Sequence, residues 1–337
     1  MKILLCSVHF RPSIGGIETV SEILADRFLH AHHEVLVVTQ TSTAEPDTAA
    51  YPIVRRPSPA KLLKWVRWAD IVLHNNISLR LAWPLLICPR PWVIAHHMWS
   101  PRVGAGSFEG RIKHLATRFA TNIAVSEAMA SSLSVPATVV PNPYADDLFV
   151  SGPTASKPRD LVFLGRLISS KGVSVLLEAL ARLRDRGDAR TLTIVGGGPE
   201  EGKLREQIRS LSLDKQVCFS GFLQGLALVE LLHQHRIMVV PSIAPEPFGI
   251  VAIEAIACGL VPVVSGTGGL PEAIGRCGLV VPPFDSIALA DAISRLDDAE
   301  LFAALLAEGS RHMVRHTRDS VAQAYLKVIK SARSKWS

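Results

Sequence analysis

Two doubly wound α/β domains are the architecture this sequence predicts, and three observations predict it. Short β-branched runs alternate with amphipathic helical stretches along the whole chain, the pattern of parallel sheets covered by helices on both faces. Each half opens on a strand followed by a glycine-bearing turn into a helix: Ile14-Gly15-Gly16-Ile17 in the first, Gly165-Arg166 leading to Lys171-Gly172 in the second. The chain's 337 residues suit two domains of ordinary size, and the polar Gly/Pro/Ser stretch at 151–158 lies near the middle.

In chain order, residues 2–8 read as a strand and 16–30 as a helix with Val20, Ile23, Leu24 and Phe28 on one face. Strands follow at 34–39, 71–74, 92–96, 122–126 and 138–140. The rhythm restarts with a strand at 161–164, a helix at 172–186 carrying Val173, Leu176, Leu177, Leu180 and Leu183 in register, and a strand at 191–195. Strands at 217–220, 237–241 and 261–264 complete the second half. We therefore expect a first domain over 1–150, a linker and hinge at 151–158, and a second domain over 159–317. The last periodic stretch, with Val321, Ala324, Tyr325, Val328, Ile329 and Ala332, is a helix that must pack on something. Either domain offers a surface; we expect helix 318–335 to cross back to the first.

Composition excludes several classes. With 48% hydrophobic and 20% charged residues the chain is globular rather than disordered. No apolar run reaches the ~18–20 residues that span a bilayer, since Glu254 and Pro262 interrupt 250–264, and Arg80 and Pro84 interrupt 79–88. The apolar core of residues 1–11 is too short for a signal peptide. Five widely spaced cysteines without a C-x-x-C pair fit a reduced, cytoplasmic setting rather than zinc or disulfides. The net charge of +6 is uneven: residues 55–118 hold eleven Lys/Arg against two acidic side chains.

The chemistry-bearing residues sit at strand ends. Gly15-Gly16 lets backbone N–H groups approach an anion at a helix start, or is a tight turn only. Arg166 and Lys171, five residues apart, offer a guanidinium fork and an ammonium to one diphosphate; as isolated side chains they are simply solvated. Gly196-Gly197-Gly198-Pro199 is a second glycine turn, and no P-loop pattern occurs. Glu246 is held in the proline-flanked loop Pro245-Glu246-Pro247-Phe248-Gly249, while Glu254 stands among Ile253, Ala255, Ile256 and Ala257. A carboxylate there costs several kcal/mol unless partnered, so it accepts from a ribose diol or sugar hydroxyls, or joins an internal salt bridge. Gly268-Gly269-Leu270-Pro271-Glu272 adds a fourth glycine turn.

Taken in order, Gly165-Arg166-Leu167, Lys171-Gly172, the Gly196–Pro199 turn, the Glu246 to Glu254 segment with its E-x7-E spacing, and the Gly268–Glu272 turn resemble the C-terminal domain of retaining family 4 glycosyltransferases. Gly15-Gly16-Ile17-Glu18, Ala124-Val125-Ser126 and Val140-Pro141-Asn142-Pro143 extend the resemblance thinly into the first half. The resemblance implies the GT-B architecture of two facing Rossmann-like domains, a nucleotide-sugar donor bound mainly by the second, and retention at the anomeric carbon without a metal or other cofactor. It assigns Arg166 and Lys171 to the donor diphosphate, Glu254 to the ribose, and Glu246 to the donor sugar. Gly15, Gly16, Gly197, Gly198, Phe248, Gly249 and Ile250 would line the donor. A His near the reacting carbon is also implied; Trp92-Val93-Ile94-Ala95-His96-His97 supplies it, with His96 preferred and His97 the fallback, although relatives often carry an acidic residue at the latter position.

The expected activity is transfer of a hexose-type unit from a UDP-, GDP- or ADP-sugar to a glycan, lipid-linked or small-molecule acceptor, in polysaccharide or glycoconjugate synthesis. A GT-B epimerase or phosphorylase and a binding-only pseudoenzyme are the alternatives. Nucleic acid is not expected as a partner, because helix-turn-helix, zinc-finger and RNA-stacking motifs are absent. Five of the six tryptophans fall between residues 65 and 99, and Lys61-Leu62-Leu63-Lys64-Trp65-Val66-Arg67-Trp68 mixes basic and aromatic side chains as an interfacial helix does. Peripheral contact with an anionic membrane at its inner face follows as an expectation, against the plainer reading of tryptophans in a core.

Overall fold

The computed structural model describes residues 1–99, 108–152 and 158–336. The chain forms two compact units, Met1–Pro143 with Thr317–Ser337, and Tyr144–His316. The first holds β1 (Lys2–Ser7), β2 (Glu34–Thr39), β3 (Ile53–Arg55), β4 (Ile71–Asn75), β5 (Trp92–His96), β6 (Thr121–Ala124) and β7 (Ala137–Val139). All pair in parallel, in the order β3-β2-β1-β4-β5-β6-β7. The second holds β8 (Arg159–Leu164), β9 (Leu192–Val195), β10 (Val217–Gly221), β11 (His235–Val240), β12 (Val261–Ser265) and β13 (Leu279–Val281), parallel in the order β10-β9-β8-β11-β12-β13. Central strands are covered on both faces, so they read as continuous apolar runs: Ile3, Leu4, Leu5 and Cys6 are all fully buried.

In each sheet the connection reverses direction once, between β1 and β4 and between β8 and β11. Ligands of open parallel sheets bind outside the carboxyl ends of the strands at that reversal. The glycine turns at Gly15-Gly16 and Gly165-Arg166 follow β1 and β8, so both lie there.

Helix Gly16–His30 buries Val20, Ile23, Leu24 and Phe28, and helix Val173–Asp185 buries Val173, Leu176, Leu177, Leu180 and Leu183, the faces their spacing gives. Helix Arg318–Ser334, capped by the Thr317 side chain on the Ser320 N–H, turns Val321, Tyr325, Val328 and Ile329 into the first unit.

Two expectations are corrected. The unit boundary falls at Pro143/Tyr144 and not within 151–158, of which 153–157 lie outside the described residues. Residues 144–152 belong to the second unit because Phe149 is buried, His233 Nε2 lies 2.8 Å from the Val150 carbonyl, and Ser151 Oγ donates to the Ala257 carbonyl at 3.3 Å. The return crossing at His316/Thr317 is adjacent, the Tyr144 N–H donating to the His316 carbonyl at 3.2 Å.

The second correction concerns helix Pro59–Trp68. Leu62 and Val66 are buried, and Trp65 and Trp68 pack partly buried against the same cluster, edge to face at 5.8 Å. Lys64 lies over the Trp65 ring and Lys2 over Trp68. These tryptophans serve the first unit's core and leave no open apolar stripe on this helix. No helix of the described residues is long and apolar enough to cross a membrane.

Candidate functional site

The loops leaving β8, β11 and β12 are laced together by main-chain hydrogen bonds. The Leu167 N–H donates to the Gly197 carbonyl at 2.9 Å, and the Glu200 N–H to the Leu167 carbonyl at 3.0 Å, so the two glycine turns form one edge. A Cβ on Gly198 would sit 2.4 Å from the Leu167 carbonyl oxygen, so only glycine permits that approach. Beyond β11, the Ile243 N–H donates to the Ser170 carbonyl at 2.9 Å, which joins the Lys171 turn to the Glu246 loop. The Gly269 N–H donates to the Glu246 carbonyl at 2.8 Å and anchors that loop to the turn after β12.

This lacing brings together residues 75 positions apart: Lys171 Nζ donates to Glu246 Oε1 at 2.5 Å, and Ser242 Oγ donates to the same oxygen at 2.6 Å. Lys171 is therefore not a solvated cation; it is held on a carboxylate, both side chains being largely covered. Arg166 is exposed and has no ion-pair partner among the described residues, so its guanidinium is available to an anion.

Helix Ile250–Ala257 starts at Gly249, whose φ of 111° strains any other residue and whose Cβ would strike Leu270 Cδ2 at 2.5 Å. Ile250 opens the first turn, and Glu254 lies one turn on, flanked by buried Ile253, Ala255 and Ile256. The residue keeps intermediate surface exposure, yet burial of its carboxyl pushes the pKa up to about 8. No side-chain partner exists for it among the described residues, so the internal salt bridge is not there. Phe248 departs from expectation: it is 2% exposed and packs on the buried His316 ring at 5.6 Å between centroids. Its side chain supports the loop from beneath and does not line a ligand surface. Gly197 faces open space.

In the first unit, Gly15 precedes the helix start at Gly16, and its carbonyl accepts from the Thr19 N–H and hydroxyl. The Glu18 carboxylate lies against Gly15, within 2.6 Å of where a Cβ would be. His96 ends β5 and is 5% exposed, with Nε2 2.9 Å from Asn122 Oδ1. Asn122 Nδ2 donates to the Thr117 and Ala120 carbonyls at 3.0 and 3.1 Å, which fixes Oδ1 as the acceptor toward the ring. Nε2 therefore carries the proton and Nδ1 is left as a lone-pair acceptor, while burial lowers the pKa and keeps the ring neutral. His97 takes other partners: its N–H donates to Asn76 Oδ1 at 2.8 Å and its Nε2 lies 3.5 Å from the Tyr325 hydroxyl. Burial pushes its pKa down to about 3, against a bond to Asn142 that raises it.

Sequence reasoning missed Asn122 and a buried network at the β1/β4 reversal, where Asn75 Nδ2 donates to Ser21 Oγ at 2.6 Å and Ser21 donates to Ser7 Oγ at 3.0 Å. The signal was there in the polar Asn75-Asn76 pair ending an apolar strand. Replacing Asn122 with alanine removes the His96 partner and strands two carbonyls. We expect a loss of about 1–3 kcal/mol in urea denaturation; a loss below about 0.5 kcal/mol would show that the network does not hold the ring.

Comparison with known proteins agrees with this geometry. The model of the family "Glycosyl transferases group 1" matches residues 145–313. Glycogen synthase of Mycobacterium tuberculosis is 42% identical over 144 residues, which are 42% of this chain and 34% of that enzyme; the chain thus spans about a third of that relative's length. Phosphatidyl-myo-inositol mannosyltransferase of Mycobacterium leprae is 30% identical over 295 residues, 81% of this chain and 78% of that protein. Among solved structures, Anabaena HepE in complex with UDP superposes with a TM-score of 0.84 at 24% identity, covering 98% of this chain and all of that one. A sucrose-phosphate synthase from Thermosynechococcus elongatus gives 0.79 at 21% identity over 99% of each chain. These likenesses show the GT-B fold class of two Rossmann-like α/β units. The motif-bearing unit and the near full-length relative together make the chain a member of the group 1 glycosyltransferases.

Proposed function

We propose that this protein is a retaining glycosyltransferase that moves a hexose-type unit from a nucleotide-sugar donor to a glycan, lipid-linked or small-molecule acceptor. The observation that carries the reading is the edge after β8 and β11, where Arg166 and the Lys171–Glu246 pair lie on laced loops and Glu254 stands in the helix that follows, Arg166 and Glu254 having no ion-pair partner among the described residues. In this reading Arg166 and Lys171 stabilise the charge that develops on the departing nucleoside diphosphate, the work a divalent cation does elsewhere. Glu246, already oriented by Lys171 and Ser242, accepts from donor-sugar hydroxyls. Glu254 accepts from the ribose diol. In the first unit, the free Nδ1 of His96 suits it to accept from a sugar hydroxyl. HepE was solved with UDP, which puts UDP-sugars ahead of GDP- and ADP-sugars as the donor. In the same reading a lipid-linked acceptor is met at the inner face of a membrane.

A thermal-shift panel of UDP-, GDP- and ADP-sugars tests the donor. A ligand at a hundredfold excess over its Kd stabilises the native state by about 2.7 kcal/mol, so one base should raise Tm by several degrees. No shift with any of the three overturns the donor reading.

A further inference from the structure

Helix Phe108–Thr117 of the first unit covers almost nothing. Of its ten residues only Thr117 is buried. Phe108, Ile112 and Leu115 recur at helical spacing on one face, Phe119 continues the line, and all four are exposed, Phe108 at 79% and Phe119 at 73%. Arg111 and Arg118 are exposed along one flank of this stripe, and Lys113 and Glu109 pair at 2.8 Å on the other. Ile112, Leu115 and Phe119 form one wall of an apolar groove of about 560 Å³ whose other walls include Leu86, which is 88% exposed, and Trp336. Arg90 and Trp336 also line a neighbouring polar hollow that holds Lys2, Arg67 and Arg333 against Glu34 and Asp70. The apolar groove thus runs into a surface with an excess of positive charge.

We propose that this face docks the protein on an anionic lipid bilayer: the helix Phe108–Thr117 stripe, Phe119, Leu86 and Trp336 enter the acyl boundary, and Arg111, Arg118 and the adjoining basic hollow meet the phosphate headgroups. An apolar stripe flanked by arginines is the form of a helix that lies in an interface, and the charge excess selects anionic over zwitterionic lipid. A two-fold contact with a second copy would set this net positive surface against itself, which disfavours self-association. The proposal rests on the membrane part of the reading above and is independent of the donor chemistry. It also moves the contact away from helix Pro59–Trp68, whose tryptophans are already packed.

Co-sedimentation of the full chain with vesicles of phosphatidylglycerol and phosphatidylcholine, against pure phosphatidylcholine and without nucleotide, tests it. Binding is expected for the anionic vesicles only and should weaken with salt. Arg111→Glu with Arg118→Glu should lower partitioning at least about 30-fold, and Leu115→Asp with Phe119→Asp should abolish it. Lys61→Glu with Lys64→Glu should change it no more than about threefold. The exposed positions leave the fold intact, checked by an unchanged Tm and an unchanged shift with the donor found in the thermal panel; if no donor is found, the vesicle result still stands alone. Equal binding to both vesicle types, vesicle binding by the Leu115/Phe119 variant, or a wild-type dimer that this variant turns into monomers each overturns the proposal.

Discussion

Replacing Lys171 with alanine is expected to lower turnover by about 10²–10³, equivalent to ~2.7–4 kcal/mol for one lost charge-stabilising group. Two effects act together. The ammonium proposed to meet the diphosphate is gone, and the Glu246 carboxylate it held at 2.5 Å keeps Ser242 alone as a side-chain partner among the described residues. A negative charge without its cation then stands beside the proposed position of the donor phosphates. Arg166→Ala removes an exposed cation without orphaning a carboxylate, so its cost should fall at the lower end of the same range. The double variant Lys171→Ala with Glu246→Gln separates the two effects: removing the orphaned charge should restore donor binding more than it restores kcat, because Glu246 is itself proposed to hold the sugar. Steady-state kinetics with the donor found in the thermal panel checks all three. Near-normal kcat/KM in Lys171→Ala would remove the diphosphate role from this residue.

Glu254→Gln should make the ligand-free protein more stable and worse at binding its donor. The folded carboxyl titrates near 8 because of burial, against an ordinary 4.5. An acid whose folded pKa is raised favours folding most below about pH 4.5, and that contribution is lost as pH rises from there through about 8. At 1.36 kcal/mol per unit, the wild type forfeits on the order of 3 kcal/mol by pH 7–8, and glutamine, which has no proton to lose, does not. Stability curves for wild type and variant should therefore diverge between pH 5 and 8. Ribose hydroxyls favour the ionised form, so donor binding below pH 8 should release a proton, read as a dependence of calorimetric enthalpy on buffer ionisation. Losing the charged acceptor should weaken donor binding about 10–100-fold, the weight of hydrogen bonds to a charged group. Parallel stability curves across pH 5–8 would remove the raised pKa, and donor binding without proton release would remove Glu254 from the ribose.

The cost of burying Glu254 was legible in the sequence, because an acidic residue in Ile253-Glu254-Ala255-Ile256-Ala257 stands among apolar neighbours, while the residues alone left open whether sugar hydroxyls or an internal salt bridge would meet it. Strands whose two faces are buried were legible too: Glu34–Thr39 and Trp92–His96 fall where their apolar runs lie. The missed strands, Ile53–Arg55 and Leu279–Val281, are three-residue edges, too short to show a period and bordered by Pro52 and Pro282. Long-range pairing left no local trace. Lys171 and Glu246 each stand in a recognisable motif, yet their mutual hold across 75 positions depends on the chain between them folding back through the Ile243–Ser170 bond. Phe248 shows the converse, since a motif residue beside the site turned out to be a buried support. Trp65 and Trp68 look interfacial by composition, but the cluster that claims them, with Leu4 and Cys6 of β1 and Leu36 and Val38 of β2, is tertiary.

Isothermal titration of the wild-type chain with UDP, GDP and ADP in the presence of EDTA tests most directly whether the edge after β8 and β11 is a diphosphate site that works with its own cations. One of the three is expected to bind without added metal, and Arg166→Ala with Lys171→Ala to weaken it by 100-fold or more, at about 1.5–3 kcal/mol for each charged hydrogen-bonding group. Binding that appears only when a divalent cation is restored, or that the double variant retains, would contradict it.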